Sequence, residues 1–182
     1  MTVLVQPVVD GELLEECWKV YQLSFDPLRH LALQRHVMYS DEFDAVMADA
    51  RITKFLVRDQ TGALVGLATM SDDLMSMPLV SPEYFAHHFP ERYAARQIYY
   101  IGFLAVHPDH HGSGVFADLV GEMTRPVADK QGLAVLDVCN YNRDRMHLPR
   151  AINWLASTFA PQVTMATLDA QSYVGYDFAH GG

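Results

Sequence analysis

Apolar and polar positions recur with two different periods along this chain, and the switches between the periods outline an alternating α/β order. Residues 2–8 read as a first strand, and Asp10 stands where a helix N-cap would. It precedes a stripe of Leu13, Leu14, Cys17, Trp18, Tyr21 and Phe25 that ends at Pro27. Residues 28–39 and 41–50 read as two further helices, the second opened by Ser40, Asp41 and Glu42 at the positive helix end. A hairpin signal follows. Residues 54–58 and 63–70 are the apolar arms, and Asp59, Gln60, Thr61 and Gly62 between them have turn chemistry. Residues 98–106 are rich in β-branched and aromatic side chains, long enough for a buried strand, and stopped by Pro108. Helical spacing returns over 117–128. The pattern then predicts a fifth strand over 133–140, a helix over 149–159, and two last strands over 163–168 and 173–178.

Between the third and fourth strands a short turn would suffice, yet residues 71–97 carry Leu74, Met75, Met77, Pro78, Leu79, Tyr84, Phe85, Phe89 and Tyr93. An excursion this long and this apolar must pack on something. Either it closes one end of the core, or Met75, Met77, Phe85 and Phe89, with Tyr100 of the next strand, line a substrate pocket. Methionines adapt to irregular ligands, and aromatics line concave apolar sites.

Length and composition fit one domain spanning residues 1–182: half the residues are hydrophobic, and no repeat, low-complexity stretch or linker interrupts them. The net charge of −9 disfavours nucleic acid as a partner and requires any polyanion to be held by local groups. No apolar run approaches the roughly 20 residues needed to span a membrane, and no basic-then-apolar leader opens the chain, so the expected location is the cytoplasm. Cys17 and Cys139 make no disulfide framework and are expected to be small buried hydrophobes.

The chemistry concentrates where the fourth strand turns into the next helix through Gly112 and Gly114. A turn that aims successive backbone N–H groups at one point needs residues without a Cβ, and the helix start adds positive potential, so the segment reads as a phosphate cradle. It lacks the Lys-Ser/Thr of a Walker loop and lies too late in the chain for a Rossmann first unit.

Val106-His107-Pro108 followed by His111-Gly112-Ser113-Gly114-Val115-Phe116 resembles the pyrophosphate loop of the GNAT superfamily, the acyl-CoA-dependent N-acetyltransferases. Gly114 matches the central glycine. His111 replaces the usual Arg or Gln, and Phe116 replaces the last Gly or Ala, which narrows the space beside the phosphates, so the resemblance supports a thioester-bound acyl donor in general more firmly than acetyl-CoA in particular. The resemblance implies an α/β fold with a mixed, mostly antiparallel central sheet of about 6–7 strands flanked by helices. It also implies acetyl-CoA or another acyl-CoA as co-substrate, held by Leu104, Ala105, Val106, His111, Gly112, Ser113, Gly114, Val115 and Phe116.

In the resembling fold the fourth strand splays from the fifth, so free N–H groups near Leu104 and Val106 can polarise the thioester carbonyl. A base commonly sits on that strand, but residues 98–106 hold no carboxylate. Trp154 and Leu155 stand where a tyrosine acid is usual, which leaves Tyr173 and Tyr176 as substitutes. His107, with Asp109, His110 and His111 beside it, is a further candidate for proton transfer. Their spacing matches no common metal motif, and no metal is expected. Arg143, Arg145, His147 and Arg150 form a second basic group, read either as a solvated helix start or as a contact for CoA phosphates or a phosphopantetheine carrier.

The expected function is transfer of an acetyl or other acyl group to the amine of a small molecule. The alternatives are an N-acyl amino acid or signal synthase with a longer acyl chain and a non-catalytic acyl-CoA sensor. An acyl carrier protein and a second copy of the chain stay open as partners.

Overall fold

Three antiparallel pairings and one parallel pairing build the sheet. In the computed structural model, which describes residues 1–178 apart from His36 and Leu79, the strands are β1 (Thr2–Gln6), β2 (Thr53–Arg58), β3 (Leu64–Ser71), β4 (Ile98–Val106) and β5 (Leu133–Val135), adjacent in that order. β4 and β5 are the parallel pair. Between β1 and β2 run α1 (Gly11–Phe25), the single turn α2 (Leu28–Leu31) and α3 (Ser40–Ala48). The excursion after β3 forms α4 (Pro82–His88) and α5 (Pro90–Ala94), while α6 (Val115–Asp129) links β4 to β5 and α7 (Leu148–Phe159) follows. No described helix is long and apolar enough to cross a membrane.

Each face of the sheet is covered by helices. On one face Cys17 and Tyr21 of α1 and Phe43 and Met47 of α3 pack on Leu56, Leu67, Phe103 and Ala105. Tyr21 is the centre of this layer, with ring centroids 5.0 Å from Phe43 and 4.9 Å from Phe103. On the opposite face Val115, Leu119 and Met123 of α6 pack on Val57, Val65, Ala68 and Val106. β3 is buried along its whole length, as a central strand covered on both faces must be.

Lys54 on β2 is fully buried; its Nζ donates to Pro7 O at 2.8 Å and Asp49 O at 2.6 Å, tying the ends of β1 and α3 to the sheet. Burial lowers its pKa from 10.5 to about 8. Burial likewise pushes the Cys17 thiol up to about 12, so Cys17 behaves as the small hydrophobe its position suggested.

The expectations fail in three places. The helix expected over 28–39 stops at Leu31; beyond it Leu33 is 78% exposed and has no apolar face to pack against. The strand expected over 133–140 stops at Val135, because its ladder with β4 ends at the Tyr100–Val135 pair. Neither 163–168 nor 173–178 forms a strand, so the described sheet has five strands and not 6–7. Both segments carry apolar and β-branched or aromatic residues, but β5 offers an edge of only three residues, too short for a further strand to pair along.

Candidate active site

A bulge in β4 opens the site. Thr69 pairs with Phe103 and Met70 with Ile101, so Gly102 is an extra residue with no partner on β3. Such a bulge bends the strand and sharpens its twist, and here β4 parts from β5 one residue earlier. Gly102 is required at this point: a Cβ would stand 2.7 Å from Thr69 Oγ1, with the Met77 sulfur 3.8 Å away. Thr69 Oγ1 is itself buried without a hydrogen-bond partner.

Beyond the bulge β4 is paired on one side only. His107 N–H donates to Val65 O at 2.9 Å, and in an antiparallel pair alternate residues turn their polar groups to the same neighbour. Counting back, the amides of Ala105 and Phe103 face β3, whereas those of Leu104 and Val106 face the side that β5 has left. Val106 O on that side accepts from Ser24 Oγ at 2.8 Å. The N–H groups of Leu104 and Val106 thus line the cleft between the arms, and Ala105 contributes a buried side chain to the opposite core.

The same strand leads directly into the glycine turn. Gly112 and Gly114 have φ of +81° and +94°, and no heavy atom lies within 4 Å of a Cβ built on either. Their positive φ is a glycine conformation, and the space that a side chain would fill is open. Among the described residues neither glycine N–H makes a hydrogen bond, no side chain caps α6, and the first bond of that helix runs from Asp118 N–H to Gly114 O. The N–H groups of Gly112, Gly114, Val115 and Phe116 are therefore free to meet an anion, which is the fit a pyrophosphate needs. His111 and Ser113 are exposed beside them, with Ser113 Oγ donating to His110 O at 2.6 Å. The Val115 side chain is fully buried, and Phe116 packs partly buried against the α6 core, so both offer the cleft their backbone.

Close approach of α6 to the sheet depends on Gly66. A Cβ there would overlap Val115 Cγ1 and lie 3.3 Å from Leu119 Cδ1. The absence of a side chain on β3 is what seats the first turn of α6, and with it the anion turn.

The histidines hold the turn together. His107 Nδ1 accepts Asp109 N–H at 3.3 Å, and His110 Nε2 lies 3.9 Å from Asp59 Oδ2 in the β2–β3 turn. Thr61 and Ala63 donate to Asp59, and the Thr61 hydroxyl, the largest influence, holds its carboxyl below the ordinary value. Among the described residues no three His, Cys, Asp or Glu side chains converge as metal ligands.

The excursion divides between core and surface. Phe85 and Leu74 are buried against Ile98, with Phe89, Tyr93, Tyr100 and Val135 around them, and Met77 is buried over Gly102. Met75 is 70% exposed. Leu79 lies outside the described residues. At the edge of this cluster the Tyr100 hydroxyl donates to Asp137 Oδ1 at 2.6 Å. A carboxylate thus meets Tyr100 where β4 and β5 stop pairing, supplied by the arm after β5 and not by β4. A search confined to the fourth strand misses it; the signal was an acidic residue inside the apolar run expected to be the fifth.

The structure places the remaining candidates elsewhere. Tyr173 is half-exposed and donates to Gln34 Oε1 at 3.2 Å, and Tyr176 is 80% exposed; neither hydrogen-bonds to β4 or to the glycine turn. Arg143 pairs with Asp144 in a π-helical turn (Tyr141–Arg145), while Arg145 and Arg150 are exposed and make no ion pair among the described residues.

No protein-family model and no curated protein sequence matches the chain. Solved structures do. A variant of the BH1408 protein from Bacillus halodurans superposes with a TM-score of 0.58 at 11% identity, over 97% of this chain and 99% of its own. The aminoglycoside acetyltransferase meta-AAC0020 from an uncultured soil metagenomic sample, solved with sisomicin, gives 0.54 at 11% identity over 96% of each chain. AAC(6')-Iy, in complex with a bisubstrate analogue built on CoA, gives 0.51 at 13% identity over 96% and 100%. At these identities the likeness is one of fold: the chain has the mixed, mostly antiparallel α/β fold of the GNAT N-acetyltransferases.

Proposed function

We propose that the protein is an N-acyltransferase that moves an acyl group from an acyl-CoA to the amine of a small molecule, all 182 residues forming one catalytic domain. One observation carries the reading: a line of backbone donors in two unpaired groups, Leu104 and Val106 in the β4–β5 cleft and then, past the bonded amides of His107 and residues 109–111, Gly112, Gly114 and the first turn of α6. The shared fold, with relatives described as acetyltransferases of amine-bearing aminoglycosides, agrees with it.

An acyl-CoA bound along this line supplies an activated thioester carbonyl. The glycine turn neutralises pyrophosphate through N–H groups and the α6 dipole, and in an acidic chain these local donors are the attraction. The Leu104 amide, fixed by the β4–β3 ladder, points into the cleft to take up negative charge as it develops on the carbonyl oxygen, without reorganisation at that moment. The buried packing of Leu74 and Phe85 favours a small acyl group over a long one, because the excursion fills its own interior.

Calorimetry with CoA on the wild type and Gly114→Val tests the site. The substitution meets no neighbour but forces a β-branched residue to φ +94°, so the turn must relax and carry its backbone donors out of alignment. Affinity should fall at least about tenfold while unfolding stays cooperative. Equal affinity in the two folded proteins would remove the turn from the binding site.

A further inference from the structure

We infer that Asp137 is the proton acceptor for the amine in this acyltransferase, and that Tyr100 is the residue that positions it. The inference rests on the acyltransferase reading. β4 itself brings no carboxylate to the cleft, yet a primary alkylamine at neutral pH is almost wholly protonated and must lose a proton before it can attack. Asp137 lies two residues beyond Val135, the last β5 residue paired with β4, which places it on the departing arm about level with Gly102. At roughly 3.3 Å per extended residue it is about 7 Å short of Leu104 along the strands, a gap that an amine and one water span.

The dyad is built for this task. Tyr100 is half-buried, and burial, followed by its bond to Asp137, raises its pKa, so the hydroxyl stays a donor at every working pH. That donation occupies Oδ1 and fixes the carboxylate's direction. Among the described residues Asp137 has no second hydrogen-bond or ion-pair partner, so its remaining lone pairs face solvent at the cleft mouth. The other titratable side chains around this cluster are Tyr84 of α4 and Tyr93 of α5, with His88 of α4 packed on Tyr84 at 4.4 Å between ring centroids. Tyr84 is turned away, donating to Leu168 O at 3.3 Å.

Of the two protons the ammonium nitrogen loses, Asp137 takes the first and hands it to water. The nitrogen lone pair then forms the C–N bond, the C–S bond breaks with its electron pair on sulfur, and the second proton leaves with the thiol. Charge and atoms balance without an oxidant or a metal.

The test compares wild type, Asp137→Asn, Tyr100→Phe and the double variant, using acetyl-CoA and aliphatic polyamine and aminoglycoside acceptors at subsaturating concentration. At about pH 7 the Asp137→Asn rate should fall at least about a hundredfold with CoA affinity unchanged, and the deficit should shrink towards about pH 10, where the amine is neutral on its own. Tyr100→Phe should lose roughly tenfold with the same recovery at high pH, and should cost nothing further in the Asp137→Asn background. A purely structural defect would not recover with pH. An active wild type whose Asp137→Asn variant keeps its rate, or loses it equally at all pH, overturns this assignment and leaves the acyltransferase reading standing. A wild type that binds CoA and acylates no amine overturns both.

Discussion

Placing a methyl group on Gly66 asks whether the contact between β3 and α6 holds the anion turn in place. A Cβ at Gly66 overlaps Val115 Cγ1 and lies 3.3 Å from both Leu119 Cδ1 and Val57 Cβ, and all three neighbours are fully buried. None can swing into solvent, so Gly66→Ala must push the first turn of α6 off the sheet or force side chains from their rotamers. Overpacking of this kind costs about 1–3 kcal/mol, offset by about 0.5 kcal/mol from replacing a strand glycine. A net loss of roughly 0.5–2.5 kcal/mol is expected in urea unfolding. Val115→Ala alone should cost about 1–2.5 kcal/mol through lost burial and a small cavity. In the double variant the new methyl enters that cavity, so the combined loss should fall below the sum by about 1 kcal/mol or more. Because Val115 directly follows Gly114, CoA affinity should drop in Gly66→Ala and return in the double variant. Additive losses, agreeing within about 0.5 kcal/mol, would refute the claim that this contact seats the helix.

Stability should also carry the signature of Lys54. Its pKa is 10.5 in the unfolded chain and about 8 in the folded one, so between those values the unfolded state binds more protons and stability rises with pH, by on the order of 3 kcal/mol in all. Cys17 acts oppositely above pH 9, where the unfolded thiol ionises and the buried one, at about 12, does not. The Lys54 contribution is therefore read as the difference between wild type and Lys54→Met across that window, and parallel curves would show that Lys54 pays no burial penalty. In the excursion, Phe85→Ala should destabilise by about 3 kcal/mol or more, whereas exposed Met75→Ala should stay within about 0.5 kcal/mol of wild type. Chemical denaturation of the two variants separates core closure from surface, and the reverse ranking would undo the placement of this segment.

Local pattern was sufficient wherever an element's own residues decide its conformation. The continuous apolar run over Ile98–Val106, rich in β-branched and aromatic residues, the Asp59–Gly62 turn and the helical spacing after Gly114 all appear where composition, periodicity and turn chemistry put them. The glycine turn was legible for the same reason: positive φ at Gly112 and Gly114 is a property of single residues. Pairing is a different matter. The composition of 163–168 and 173–178 suits an extended chain, but only a neighbouring strand can satisfy its backbone, and β5 ends after three residues. The bulge at Gly102 was likewise invisible along the chain, because it is a relation between β3 and β4. From it follow the parting of β4 from β5, the outward amides of Leu104 and Val106, and the meeting of Tyr100 with Asp137, 37 positions away. The sequence determined which backbone can bend around an anion, since that depends on torsion angles one residue at a time. Only the tertiary structure decided which carboxylate meets Tyr100, since that depends on where two strands stop pairing.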